Sequence, residues 1–381
     1  MRTSSEITLF RKTVYDFARK EIYPHRHDWE AKKETPRALY RQMGELGFFG
    51  LRYPTELGGL GGDFYYTEAF CEELIRGSEL LGPAVNIQVH MDMATPIINV
   101  IGTPAQKEEC LVPAIRGEKI FALGISEPDT GSDVANIRTT ARTDHTEYVI
   151  NGAKTFITNG ANADYITLAV RTGDPGYKGV SLVLFDTKTN GFSVGRRLNK
   201  MGCHSSDTAE LHFDNCRIPK HCLLGEENRG FHYIMKNFQA ERLIIALDAV
   251  MLCQIMLAQA TAYATERKAF GVCLANHQTI RHELADLKTE SLAAHLLCRY
   301  ASDLIVAGAT STAEISMAKL KATELVNRVA VTCQQIFGGY GYMEEYDIAR
   351  HVRDSRVLNI VGGTSHIMRE IISKHMFPAL S

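Results

Sequence analysis

In this chain of 381 residues the side chain with the plainest chemical potential is Glu241. It lies in the run Gln239-Ala240-Glu241-Arg242-Leu243, on a stripe completed by Ile234, Phe238, Ile245 and Leu252 at spacings of three, four and seven. A carboxylate on an apolar helical face is pushed towards its neutral form, which raises its pKa and suits it to work as a general base. Arg242 offers a plainer reading, a buried structural acid neutralised by its neighbour. Asp248, two turns along the same face, is a competing acid, with a helix-to-helix hydrogen bond as its structural alternative.

Two other stretches have the make-up of ligand loops. Leu123-Gly124-Ile125-Ser126-Glu127-Pro128-Asp129-Thr130-Gly131-Ser132-Asp133 follows a strand-like segment and ends in small polar residues; taken alone it is a Pro/Gly/Asp turn. Gln335-Ile336-Phe337-Gly338-Gly339-Tyr340-Gly341 closes a helical segment, and taken alone its Gly-Gly pair is a helix C-cap. The glycine-rich run from Pro54 to Gly62 reads as a surface connection.

These residues need elements to hold them. From Gly230 to Phe270 there is no proline and no internal glycine, so the spacing predicts one helix of roughly 60 Å. His282 to Ala307, Thr312 to Phe337 and a shorter segment from Ser365 are also helical, and the set predicts a C-terminal antiparallel four-helix bundle. From Glu6 to about Ile115 the pattern is helical, as in Arg37 to Leu46 and Tyr65 to Leu74. Between Lys119 and Arg217 the residues alternate instead. Asn151-Gly152 is expected to be a hairpin turn between Tyr148-Val149-Ile150 and Phe156-Ile157-Thr158, with further strands at Tyr165 to Arg171, Val180 to Asp186 and Glu210 to Phe213. The expected fold class is α+β: an α-helical domain over 1–117, a central antiparallel β domain over 118–225 and the bundle over 226–381.

Composition narrows the function. A formal net charge of -2 provides no general attraction for nucleic acid or anionic lipid, which points to small molecules held by local groups. The nine cysteines show no C-x-x-C spacing, so reduced thiols are expected and no metal site. With no secretory h-region and no apolar run read as long enough to span a bilayer, the expected location is cytoplasmic and away from membranes.

In order and spacing, the Leu123–Asp133 run, Phe156-Ile157-Thr158-Asn159-Gly160, Lys200-Met201-Gly202 with Ser206-Asp207-Thr208, Arg267-Lys268-Ala269-Phe270-Gly271, the Gln335–Gly341 run and Arg353-Asp354 together resemble the acyl-CoA dehydrogenase family along the whole chain. The resemblance implies FAD as cofactor, with Ser126 and Thr158 at its isoalloxazine ring, Phe156, where many relatives carry Trp, packed against it, and Leu123 also in the cofactor set. It implies pyrophosphate contacts from Gln335, Gly338 and Gly339 and from Arg267 and Phe270, completed between protomers of a homotetramer built as a dimer of dimers. Gln278, Thr364 and His366 fall in the cofactor set, Ser132 in both the cofactor and the substrate set, and Arg242 and Gly363 beside the CoA thioester. His366 is given no catalytic role.

Most members carry their catalytic Glu in a Tyr-Glu-Gly-Thr run before the last helix; here the matching run is Ile360-Val361-Gly362-Gly363-Thr364-Ser365. The isovaleryl-CoA and long-chain branches place the base on the long helix in a Glu-Arg-Leu run, as Glu241-Arg242-Leu243 does here. The resemblance therefore implies Glu241 as the base that takes the α proton, the Gly362 N–H as donor to the enolate oxygen, flavin N5 as hydride acceptor, and a trans-2-enoyl product. Reduced flavin would pass electrons to an electron-transferring flavoprotein. Three other readings use the same fold: a dehydrogenase of carrier-protein-bound acyl groups, a flavin oxygenase or oxidase, and a non-catalytic scaffold.

Overall fold

The computed structural model describes residues 4–377. Helices α1 (Ser5–Phe17), α2 (Arg26–Lys32), α3 (Arg37–Glu45), α4 (Phe64–Ser78), α5 (Leu81–Gln88), α6 (Pro96–Ile101), α7 (Pro104–Gln106) and α8 (Val112–Ile115) form the first part. Their starts are chemically marked. Ser4 caps α1 by accepting the Ile7 N–H, Asp63 caps α4 by accepting the Tyr65 N–H, and Thr103 with Gln106 forms a capping box on α7. Prolines 96, 104 and 113 sit in first turns, where the missing N–H costs nothing. Helix α4 is buried almost all round and packs between α1 and the long helix of the bundle.

The middle of the chain is an eight-stranded sheet made of β1 (Phe121–Gly124), β2 (Thr140–Asp144), β3 (Glu147–Thr158), β4 (Tyr165–Arg171), β5 (Val180–Asp186), β6 (Phe192–Arg197), β7 (Thr208–Pro219) and β8 (Leu223–Leu224). The order is β6-β7-β3-β2-β4-β5-β8. Most pairs are antiparallel, but β1 lies parallel to β4, with Phe121 opposite Tyr165, and β2 touches β4 in parallel at Thr140 and Arg171. Asn151-Gly152 is not a turn. It lies inside β3 at a bulge, where a Cβ on Gly152 would come within 2.6 Å of Thr139 Oγ1, so this glycine serves close strand approach. Asn151 is tied across the bulge to Asn215, whose N–H donates to Asn151 Oδ1 at 2.9 Å. The reversal between β2 and β3 falls instead at residues 144–147, with His145 at a φ of 51°.

Helices α9 (Gly230–Glu266), α10 (Gln278–Val306), α11 (Thr312–Phe337), α12 (Asp347–Ser355) and α13 (Ser365–Met376) complete the chain. The long helix α9 packs on α10 and α11, and α11 on α13. It ends at Glu266, four residues before the expected Phe270. Lys268–Ala269 (β9) and Val272–Cys273 (β10) instead pair as a small hairpin whose tip, Phe270-Gly271, has positive φ at both residues. Helix α10 likewise begins at Gln278, four residues before the expected His282.

Residues 241–253 of α9 are all buried, so this helix is enclosed on every side, not just along one stripe. By length and composition α9 is in fact long and apolar enough to cross a membrane, contrary to the expectation from sequence; 83% of its most apolar window is buried inside the protein, which makes it a core helix.

Candidate active site

Glu241 is only 7% exposed, and its Oε2 has no hydrogen-bond partner. Burial pushes its pKa up to about 7, opposed by the positive charges of Arg242 and Lys319. Neighbouring side chains on a helix diverge by about 100°, so Arg242 does not close onto Glu241. Its Nε–H donates to the Gly362 carbonyl at 3.3 Å, and its guanidinium carbon lies 5.7 Å from the Phe238 ring centroid. The structural-neutralisation reading of the Glu241-Arg242 pair thus lacks its hydrogen bond.

The turn before α13 lies directly against this carboxylate. Gly362 and Gly363 have φ of 63° and 98°. A Cβ on Gly362 would stand 2.5 Å from Ile245 Cδ1 and 3.4 Å from Glu241 Oε1, so only glycine leaves the space open. Lys319, fully buried on α11, donates from Nζ to the Gly363 carbonyl at 2.5 Å. Thr364 N-caps α13, its hydroxyl accepting the Ile367 N–H at 3.3 Å, and His366 is exposed on the first turn.

Asp248 has a different setting. Its Oδ1 accepts from Gln88 Nε2 at 2.8 Å, a bond between α9 and α5, and burial pushes its pKa to about 8. The helix-to-helix hydrogen bond offered as its structural alternative is present.

On the sheet side, the loop after β1 is organised by Glu127. Its carboxylate accepts the Arg138 N–H at 2.5 Å, the Thr139 N–H at 2.9 Å and Lys154 Nζ at 2.8 Å. Lys154 is fully buried and also donates to the Ile125 carbonyl at 3.0 Å. The Thr155 N–H donates to the Ser126 carbonyl at 2.9 Å, which brings Ser126 beside the end of β3 that carries Phe156 and Thr158. Phe156 has a φ of 59° and is 70% exposed, a large apolar ring turned out of the sheet at an irregularity in the β3–β7 pairing. Among the described residues the hydroxyls of Ser126 and Thr158 have no hydrogen-bond partner. Leu123 is half-buried on β1 and Ser132 is exposed in the loop.

A third group lies at the far end of the bundle. A cavity of about 560 Å³ is lined by Tyr263, Arg267, Leu274, Phe337, Gly338, Gly339 and Tyr340, among others. Arg267 stands 5.5 Å over the Tyr340 ring. Gln335, Gln278 and Phe270 are exposed, Phe270 at 96%, and none of the three lines this cavity.

Lys319, Lys154 and Glu127 were not singled out from the sequence. The signal for Lys319 was there: it interrupts the apolar stripe Ile315, Ala322, Val326 and Val329 of α11 as Glu241 interrupts that of α9.

A buried carboxylate facing a glycine turn, in a chain whose sheet also presents an exposed aromatic ring and hydroxyls without protein partners, has the parts of a class: a redox enzyme that deprotonates carbon beside a planar cofactor. Three family models match this chain in succession, the acyl-CoA dehydrogenase N-terminal domain over 4–118, middle domain over 122–216 and C-terminal domain over 228–377. The chain belongs to the acyl-CoA dehydrogenase family, whose members are FAD-dependent oxidoreductases.

It is 38% identical to the long-chain specific acyl-CoA dehydrogenase, mitochondrial, of Mus musculus over 98% of this chain and 87% of that protein. It is 39% identical to an acyl-CoA dehydrogenase of Bacillus subtilis over 99% of both. A caffeyl-CoA reductase-Etf complex subunit, CarC, of Acetobacterium woodii is 36% identical over 98% of both chains. A probable acyl-CoA dehydrogenase from Mycobacterium abscessus superposes with a TM-score of 0.96 at 42% identity, covering 99% of this chain and 100% of its own. A glutaryl-CoA dehydrogenase from Mycobacterium smegmatis solved in complex with FADH2 superposes at 0.93 and 27% identity, covering 99% and 96%.

Proposed function

We propose that this acyl-CoA dehydrogenase uses Glu241 to take the α proton of an acyl-CoA thioester and the backbone N–H of Gly362 to hold the thioester oxygen as it gains charge. The observation that carries the reading is the Glu241 carboxyl, buried and with one oxygen unpartnered, against a turn where a Cβ would lie 3.4 Å from its other oxygen. A saturated thioester has a weakly acidic α C–H, so its removal needs a positioned base in a dry site and a donor at the developing enolate oxygen. Glycine at 362 keeps the N–H and clears the space in front of Glu241. Arg242, holding the Gly362 carbonyl, fixes the 362–363 peptide next to the Gly362 N–H and brings positive charge near the anionic CoA portion, with Gly363 and Ser132 alongside.

The residues present fit FAD. Ser126 and Thr158 offer unengaged hydroxyls and Phe156 an exposed ring face, with Leu123 and Ser132 beside them. The cavity lined by Arg267, Gly338 and Gly339, with Gln335, Phe270 and Gln278 nearby in sequence, offers a cation and bare backbone for phosphates. Thr364 and His366 complete the set. When bound, FAD supplies the acceptor for the hydride that leaves the β carbon.

The same reading makes the chain a homotetramer, a dimer of dimers, with an electron-transferring flavoprotein as its electron acceptor. An exposed stripe on α10, Leu292, Leu296 and Tyr300, at 57%, 55% and 52% exposure, supports association of copies. The relative from a reductase-Etf complex supports the acceptor. The nine unpaired cysteines fit a reducing, cytoplasmic setting.

The test is anaerobic titration of the purified flavoprotein with short, branched and long acyl-CoA thioesters. Bleaching of the oxidised flavin band, lost in Glu241→Gln with flavin still bound, is expected. Undiminished bleaching by Glu241→Gln overturns the assignment of the base, and no bleaching by any thioester overturns the reaction.

A further inference from the structure

The active-site reading accounts for one buried charge on α9 but leaves a second, opposite charge on α11 unexplained. Lys319 is fully buried in the bundle, a position that lysine occupies only with a reason. Its Nζ does not reach solvent and donates to the Gly363 carbonyl at 2.5 Å. One residue earlier, the Gly362 carbonyl accepts from Arg242 Nε at 3.3 Å. Two successive carbonyls of the glycine turn are therefore each tied to a cation, one from α9 and one from α11. Peptide planarity fixes the N–H groups of Gly363 and Thr364 opposite these carbonyls, so the two bonds together hold the orientation of a turn whose glycines, at φ of 63° and 98°, have wide conformational freedom of their own.

We propose that Lys319 is a positioning residue of this active site: it locks the Gly362–Gly363 turn through the Gly363 carbonyl and adds, from the facing helix, a second positive charge to that of Arg242, helping Glu241 act as a base at neutral pH. The inference rests on the assignment of Glu241 made above. The charged side chains acting on Glu241 are Arg242 from its own helix and Lys319 from α11. The turn Ile360-Val361-Gly362-Gly363-Thr364 brings no charged side chain. Further along the core, the charge of Asp92 acts on Asp248 and not on Glu241.

The electrostatics agree with the geometry. Burial pushes Glu241 up to about 7, and Arg242 and Lys319 pull it back. Burial also lowers Lys319 to about 8, with Arg242 repelling its charge and Glu241 holding it. At neutral pH the ammonium therefore persists beside a carboxyl poised at its midpoint. Arg242 is the larger of the two opposing charges and flanks Glu241 along its own helix, while Lys319 adds a second from across the bundle; each is also tied to a carbonyl of the turn.

The experiment compares wild type, Lys319→Met, Lys319→Gln and Lys319→Arg, each checked for bound flavin and melting temperature. The readout is the pH dependence of the anaerobic flavin-bleaching rate with one acyl-CoA that the wild type accepts. The acid limb, near neutral in wild type, is expected to move up by roughly one pH unit in Lys319→Met and Lys319→Gln, the loss expected for one nearby opposite charge. Lys319→Arg keeps the limb in place. Lys319→Gln retains an N–H donor for the carbonyl, so it loses less plateau rate than Lys319→Met while shifting the limb equally.

A purely structural lysine would lower the plateau and leave the limb where it is; that result overturns the proposal. Should the variants unfold, infrared difference titration of wild type and Glu241→Gln identifies the Glu241 carboxyl band directly. A band titrating in the ordinary carboxylate range in the presence of the charged Lys319, and not shifting when pH rises through the lysine's own titration, also overturns it. Failure of the Glu241 assignment is told apart by Glu241→Gln, which would then keep its bleaching activity whatever the Lys319 variants do.

Discussion

A buried base must cost stability whenever it is ionised, and Glu241 allows that cost to be worked out. In the folded protein its pKa is about 7, against an ordinary 4.5. The folded form binds the proton more tightly than the unfolded form. Its contribution is therefore fully present below about pH 4.5 and is lost as pH rises through about 7. At about 1.4 kcal/mol per pH unit the difference is roughly 3 kcal/mol. Because the group is wholly buried, solvent screening takes little from that figure.

Glu241→Gln keeps the shape and removes the titration, so it is expected to be more stable than wild type in alkali while being inert as a dehydrogenase. For a chain this long, with an unfolding entropy of roughly 0.8 kcal/mol per kelvin, the gain is about 4 °C in melting temperature near pH 8.5. It shrinks to about 1 °C near pH 5, where the folded wild type carries its proton. The assay is scanning calorimetry or dye-monitored melting of both flavin-loaded proteins at several pH values. A Glu241→Gln protein whose advantage does not grow with pH, or that melts below wild type at high pH, would refute the reasoning. In that case the carboxyl is either solvated or held ionised by partners stronger than Arg242 and Lys319.

Two further outcomes follow from the same geometry. Gly362→Ala puts a Cβ 2.5 Å from Ile245 Cδ1 at a φ of 63°; the strained turn costs roughly 1–2 kcal/mol of stability. Displacing the turn from Glu241 is expected to lower the bleaching rate about 100-fold, measured by stopped flow with flavin occupancy unchanged. Asp248→Asn keeps a hydrogen-bonding partner for Gln88, and Asp248, pushed to about 8, is already neutral at pH 7. It is expected to change stability by less than about 1 kcal/mol and to bleach within about threefold of wild type; loss of activity would make Asp248 the base instead.

How much was legible beforehand differs from element to element. Helix α11 runs over Thr312–Phe337, as its spacing predicted, because a long amphipathic stretch with no proline leaves the local chain few alternatives. Strands β4 and β5 likewise keep their predicted bounds. Asn151-Gly152 shows the opposite case. Its dipeptide is a strong turn signal, yet the strand continues, because Thr139 on the neighbouring chain segment needs the room that a glycine leaves and Asn215 takes up the asparagine side chain. At the end of α9 the Phe270-Gly271 reversal likewise overrode a helical pattern that had no stop signal before Gly271.

For the site, the sequence by itself determined that an acid interrupts an apolar helix and that the run before α13 carries two glycines, because residue type and spacing are local facts; that relatives carry an acid there came from the resemblance. Only the tertiary structure decided what those facts mean together. It brought residue 362 against residue 241, turned Arg242 onto the turn instead of onto Glu241, gave Asp248 a partner in α5, and buried Lys319 on the opposite helix with its charge on the Gly363 carbonyl. Burial and the direction of each hydrogen bond set the pKa values, and both depend on groups far away in sequence. A helix enclosed on all sides, as α9 is through residues 241–253, has no polar face from which its partners might be read.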